Sequence, residues 1–338
     1  MNKEVSGGIG APLPRSGDRV LWVRFWAFGD AIETAADAFN FKRRFPDTHL
    51  TFLSHPEYTD LLRIQPYIDD VIGGRKKPFA EWRLTLAKIR SGNYKWFVAD
   101  QRGGHTAVLA AFSGAAYRVG SASLFPFMYC YNIAPEWFSS HGIDISERSL
   151  PSILPDEGDV RAARLLLEDL PERRLFLLIG AGNDGTQKMW PAERWVEFLR
   201  PLADDGWGMV LNGFGPMEEE IAAHIESSLR SKNILNLVSK LSFRVNAAVA
   251  GLCSIAVGND TGLTHLAALV GIPTIGLFSR STSRSRGLRM PWFREICAAD
   301  FVNARKGEIP LKLLPAEPVA RAFEEFANTF PRVNRLMR

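Results

Sequence analysis

The stretch SIAVGNDTGLTHLAALVG, residues 254–271, decides the fold. It opens on a short apolar run of the kind carried by a strand buried on both faces. Asn259, Asp260 and Thr261 interrupt that run, and an apolar periodic segment then continues to Gly271, two residues before Pro273. These are the start and stop signals of a helix. A buried strand that turns at once into a helix is half of a parallel crossover unit, which predicts an α/β fold. The same turn carries chemistry. A helix N-terminus presents free backbone N–H groups and the positive end of its dipole, and Gly262 lets a ligand come close to the backbone, so the turn suits a phosphate or pyrophosphate. Neither the Walker pattern nor G-x-G-x-x-G is present, so a P-loop ATPase or a standard dinucleotide site is not indicated. His265, one helical turn in, reads on its own more as a packed, hydrogen-bonded histidine than as a catalyst.

Outward from this stretch the same alternation repeats. LFLLIG (175–180), GMVLNG (208–213), ILNLV (234–238) and PTIGLFS (273–279) read as strands, with helices over 190–205, 217–229 and 243–252 between them. An earlier cycle has strands at VLWVRF (20–25), HLTFLS (49–54), DVI (70–72) and WFVAD (96–100), with helices at 31–45, 58–64 and 82–90. The proline- and acid-rich SLPSILPDEGD (149–159) reads as a connector, followed by a short helix. The arrangement expected is two Rossmann-like domains, with ligands in a crevice at the carboxyl ends of the strands.

Composition agrees. At 338 residues the length suits about two domains. Hydrophobic residues at 46% and charged residues at 23% exclude disordered, collagen-like and coiled-coil classes. No apolar run is long enough to span a membrane and the first residues lack an apolar signal core, so a cytoplasmic location is expected. Cys130, Cys253 and Cys297 lack a C-x-x-C pair and read as buried thiols, not as a disulfide framework or zinc site. A net charge of +4 does not by itself indicate nucleic acid. Five arginines (Arg280, Arg284, Arg286, Arg289, Arg294) nonetheless lie close together with no acid among them, which reads as a solvated basic loop or as a surface for an anionic substrate or lipid.

Two further strand-to-helix loops stand out. In FWAFGD (25–30), Asp30 reads as a helix N-cap completed by Glu33, or as a general base projecting into the crevice. In GAGNDGTQKMWP (180–191), Lys188 follows a glycine-rich turn and precedes Pro191 at a helix start; it reads as an exposed loop lysine or as a cation for phosphate.

Together these segments resemble the glycosyltransferase family 9 heptosyltransferases, which add heptose to the inner core of lipopolysaccharide. The resemblance spans about 19–287 and rests on VLWVRFWAFGDAIET, FPDTHLTFLSHPEYTDLL, KMWPAERW, GPMEEE and, above all, GNDTGLTHLAALVGIPTIGLF. It implies a GT-B architecture of two Rossmann-like domains facing each other across a cleft. Residues 1–17, rich in Gly, Pro and Ser, read as a flexible leader; the resemblance implies an N-terminal acceptor domain at 18–165 and a C-terminal nucleotide-sugar donor domain at 166–316, with a terminal helix and basic tail at 317–338. The implied activity is inverting sugar transfer without metal or other cofactor, from an ADP-heptose to an anionic glycan or glycolipid acceptor, with possible contact at the inner membrane surface and no nucleic acid partner. Asp30 then falls at the family's base, Lys188 at its phosphate lysine, Glu218 at its ribose-binding acid, Asp260, Thr261 and Gly262 at the donor sugar and pyrophosphate, and His265 at the motif histidine. The absence of D-x-D from the chain agrees with a diphosphate neutralised by protein cations. A nucleotide-sugar isomerase on the same scaffold, or a non-catalytic nucleotide-sugar binder, are the alternatives.

Overall fold

The structure is a computed structural model. It describes residues 12–25, 27–75, 77–123, 125–131, 138–139, 144, 149–180, 188–279, 288, 290–303, 305 and 310–330, apart from the side chains of Asp100 and Arg102. The chain divides into two compact units, one drawn from Met1–Phe25, Ala38–Pro56 and Tyr67–Ile145, the other from Trp26–Asp37, Glu57–Pro66 and Ser146–Arg338.

The first unit is built on a five-stranded sheet: β1 (Arg19–Val23), β2 (His49–Ser54), β3 (Asp70–Gly73), β4 (Trp96–Arg102) and β5 (Tyr117–Ser121), in the order β3-β2-β1-β4-β5. Every pairing is parallel. Alternation along β1 sends Leu21 and Val23 to one face, where they pack with Leu53, Phe97, Ile89 of α3 (Phe79–Ser91) and Leu109 of α4 (Gly104–Phe112). Trp22 points the other way, stacks on Phe138 and meets Phe41 edge-on. The residue before the strand is anchored as well. The Asp18 carboxylate accepts hydrogen bonds from Arg15 N at 3.1 Å, Lys95 Nζ at 2.8 Å and Trp96 Nε1 at 3.0 Å, tying the entry of β1 to β4. Burial alone would raise this carboxyl's pKa, but the donors around it outweigh that and hold it below the usual value.

The second unit has six parallel strands: β6 (Arg174–Leu178), β7 (Gly208–Asn212), β8 (Ile234–Asn236), β9 (Ile255–Asn259), β10 (Thr274–Phe278) and β11 (Phe293–Cys297), in the order β11-β10-β9-β6-β7-β8. The alternating helices are α5 (Glu157–Leu166), α6 (Ala192–Asp204), α7 (Pro216–Leu229), α8 (Phe243–Gly251) and α9 (Gly262–Val270). The short α10 (Pro310–Leu313) and α11 (Ala316–Thr329) follow, and α11 packs Val319, Phe323 and Phe326 on the core of this unit with Trp190, Trp195 and Trp207. The middle strands are buried along their whole length, as their continuous apolar runs require. α9 closes on Gly271 at φ +99°, the left-handed conformation that favours glycine.

Four elements lie outside the sequence expectations: α4, β5, β11 and the short α10. The two strands sit at sheet edges and read YRVGS and FREIC, where charged residues break the apolar runs by which the central strands were recognised. Cys130 departs from expectation as well, being exposed, whereas Cys253 and Cys297 are buried. No helix among the described residues is long and apolar enough to cross a membrane.

Candidate active site

A cavity of about 1010 Å³ opens in the second unit, and every residue lining it belongs to that unit. It has the volume of a large ligand pocket. The carboxyl ends of β6, β7, β9 and β10 contribute to it, as ligand sites of parallel sheets do. Asp30, Lys188, Glu218 and Asp260 line it, with Thr261, Gly262 and His265. All seven expected site residues therefore share one cavity.

Asp30 sits in the first turn of α1 (Phe28–Arg44), not at its cap. The Ala31 amide bonds the Ala27 carbonyl at 3.1 Å, so the helix starts before Asp30, and the expected N-cap role is not realised. Its half-buried carboxylate faces the cavity wall from the third helical position, near the positive end of the dipole.

Across the cavity, β9 ends in Asn259, which is wholly buried. Its Nδ2 donates to the carbonyls of Ile179 and Gly180, each at 3.0 Å, and its own carbonyl accepts the Thr264 hydroxyl at 2.6 Å. This ties the ends of β6 and β9 to the first turn of α9. Thr261 takes the N-cap position of α9 with extended backbone, and its side chain does not cap the helix. The α9 start therefore keeps N–H groups for an anion.

Lys188 Nζ lies 2.8 Å from Asp260 Oδ2, so the lysine is an ion-pair partner inside the site and not a solvated loop residue. His265 sits between two acids: Nδ1 is 2.6 Å from Glu33 Oε1, and Nε2 is 3.7 Å from Asp260 Oδ1. The contact at Nδ1 is a close charge pair, poorly aligned for a hydrogen bond. Burial alone would lower the His265 pKa, yet the two carboxylates carry it up to about 10. Burial likewise acts to raise the Asp260 carboxyl, and His265 and Lys188 more than reverse this, leaving it below the ordinary value.

Glu218, in the first turn of α7, is buried beside Gly180, Gly213 and Gly215. A Cβ at Gly213 would meet Glu218 Cγ at 2.8 Å, so a glycine there makes room for the acid. An aromatic group that sequence reasoning missed forms another wall. Phe28 stacks on Phe243 with centroids 3.9 Å apart, and Tyr58 and Phe214 pack against Phe243 at 5.6 and 5.4 Å. The only sequence signal was Ser242 before Phe243, a helix start whose Oγ accepts the Val245 N–H.

Several expectations fall outside the described residues: the glycine-rich loop at 181–187, most of the arginine-rich stretch (Arg280, Arg284, Arg286, Arg289) and the basic tail. Arg294 is described and is structural. It pairs with Glu325 of α11 at 2.7 Å and lies over the Phe326 ring.

Residues 141–298 match the family model described as glycosyltransferase family 9 (heptosyltransferase). That match takes in just under half of the chain, which is similar there to glycosyltransferase family 9. Among its curated relatives is lipopolysaccharide heptosyltransferase 1 of Pseudomonas aeruginosa, 26% identical over 77% of this chain and 78% of that one. Among solved structures, the family 9 glycosyltransferase of Veillonella parvula superposes with a TM-score of 0.80 at 19% identity, covering 92% of this chain and 97% of that one. E. coli heptosyltransferase WaaC with ADP-2-deoxy-2-fluoro heptose gives 0.68 at 22% identity, covering 91% and 99%. The fold is accordingly of the GT-B class, and the chain is a glycosyltransferase that uses a nucleotide sugar.

Proposed function

We propose that this enzyme transfers a heptose from an ADP-heptose to the inner core of lipopolysaccharide, with inversion and with Asp30 as the base. The observation that carries the reading is the gathering of Asp30, Lys188, Glu218, Asp260 and the α9 N-terminus around one cavity. Glu218, held between glycines, accepts hydrogen bonds from the ribose hydroxyls. The diphosphate lies on the N-terminus of α9 at Thr261 and Gly262. Lys188 turns from Asp260 to its phosphates.

As the acceptor hydroxyl attacks the anomeric carbon, Asp30 takes its proton, the new C–O bond forms, and the bond to the diphosphate oxygen breaks. Negative charge collects on the departing diphosphate, where preoriented N–H groups and an ammonium stabilise it. The test supplies purified enzyme with ADP-heptose and a heptose-deficient lipopolysaccharide acceptor. Heptose incorporation, with ADP- and not UDP-, GDP- or TDP-sugars raising Tm, is the result expected. Turnover of nucleotide sugar with no acceptor would point to the isomerase, and binding without turnover to the non-catalytic reading.

A lipid-borne acceptor places the work at a membrane surface, and α3 of the first unit suits such contact. Phe79 and Leu84 are 70% and 58% exposed on it, with Arg75, Lys77 and Arg83 exposed nearby. Apolar side chains beside cations are the pattern of an interfacial helix. Salt-sensitive sedimentation with anionic vesicles is expected, and its absence would reject the contact.

A further inference from the structure

Glu33 lies one turn beyond Asp30 on α1, and its carboxylate reaches a different element. Its Oε1 is 2.6 Å from His265 Nδ1, the other ring nitrogen is 3.7 Å from Asp260 Oδ1, and Asp260 Oδ2 is 2.8 Å from Lys188 Nζ. Acid and base alternate along the row Glu33, His265, Asp260, Lys188. Resting on the reading of this cavity as a nucleoside-diphosphate-sugar site, we propose that Glu33 is a positioning residue: it fixes His265 as the permanent cationic partner of Asp260, so that Lys188 is released to the donor's diphosphate.

Asp260 has two cationic neighbours of unlike mobility. Lys188 is a point charge on a flexible stem with a third of its side chain exposed, and it can swing to a phosphate. His265 is held between two carboxylates, Glu33 on α1 and Asp260 in the turn before α9, and cannot follow. Once Lys188 turns away, an uncompensated Asp260 would repel the incoming anion; a protonated His265 prevents this. An imidazole with a carboxylate beside each nitrogen is favoured in its cationic form, because both negative charges attract the proton-bearing ring. Glu33 balances that extra charge from the side away from Asp260. The charged groups facing the ring are Glu33 from α1 and Asp260 from the turn before α9, with Lys188 behind Asp260.

The test pairs an NMR titration of His265, assigned by loss of its signal in His265→Gln, with calorimetric ADP binding at pH 6.5 and pH 9. Wild-type His265 should keep its proton to about pH 10. In Glu33→Gln, which keeps the size and removes the charge, its midpoint should fall by about one to three pH units. ADP affinity of that variant should then drop about tenfold at pH 9 and change less than about twofold at pH 6.5, because protonation restores the ring's charge at the lower pH. Glu33→Asp should retain the wild-type pH dependence. Wild-type His265 titrating near the ordinary histidine value would overturn the proposal without any variant, should Glu33→Gln fail to fold. An equal loss of ADP affinity at both pH values would overturn it too, leaving Glu33 a packing role. Wild-type enzyme that binds no ADP at either pH would instead overturn the nucleotide-sugar reading, a distinct result.

Discussion

Gly262 is in backbone contact with Gly29: a Cβ built on Gly262 would stand 2.7 Å from the Gly29 nitrogen and 2.7 Å from Phe28 Cδ1. The first turns of α1 and α9 therefore touch backbone to backbone; Gly262 has no room for a side chain, and a Cβ at Gly29 would stand a tight 3.1 Å from Gly262 Cα. This approach brings Asp30 and Glu33 to the same cavity as Asp260 and His265. A methyl group at the crossing must move a helix, because the atoms it meets include backbone.

Gly262→Ala is accordingly expected to lower stability by about 1–3 kcal/mol, the range for overpacking, and to reduce transfer at least about tenfold through the displaced helix start. Thermal unfolding and steady-state transfer rates check both. A variant with wild-type rate and Tm would contradict so tight a crossing.

Asp30→Asn keeps the shape of the side chain and removes its basicity. Turnover is expected to fall by about two to four orders of magnitude, with ADP affinity nearly unchanged, because the base acts on the acceptor hydroxyl and not on the donor. Transfer rates alongside calorimetry separate the two effects. Near-normal turnover would remove Asp30 from the chemistry.

Lys188→Ala should weaken ADP binding about tenfold or more, the loss expected when one charge-assisted contact to a diphosphate is removed. It also strips Asp260 of its nearest cation. The loss should shrink as ionic strength rises, since added salt screens the attraction that remains in the wild type. Calorimetry at two salt concentrations that finds equal affinities would count against a phosphate contact.

Asp18 supplies a pH prediction in the first unit. Its folded pKa lies below the ordinary value, so its contribution is present above the unfolded carboxylate pKa and is lost as pH falls through the folded one. Asp18→Asn should therefore lower Tm most near neutral pH, by the equivalent of about 1–3 kcal/mol for donors left short of an ionised acceptor, and the gap should narrow below about pH 4. A gap that is constant from pH 7 to pH 3 would rule out this linkage.

What was legible in the sequence follows from the range of the forces involved. The strand and helix of 254–271 announce themselves because burial on both faces and the helix start and stop are local requirements, and the structure places them at β9 and α9. The edge strands β5 and β11 escaped because half of each faces polar surroundings. Asp30 lines the cavity, and its N-cap reading failed because the helix begins at Phe28. The partnership of Glu33 with His265 had no local signature. It exists because two glycines, far apart in the chain, let two helix starts touch. The aromatic wall at Phe28, Phe214 and Phe243 was hidden for a similar reason, since any of the three alone reads as ordinary core.

Asn259 does not itself line the cavity, yet its amide group holds the carbonyls of Ile179 and Gly180 while Thr264 grips its own. Two strand tips and a helix start thereby behave as one stiff rim. Stiffness of that kind uncouples the parts of the pocket mechanically: the floor near Glu218 can be recontoured for a different nucleoside or sugar while the rim keeps its shape.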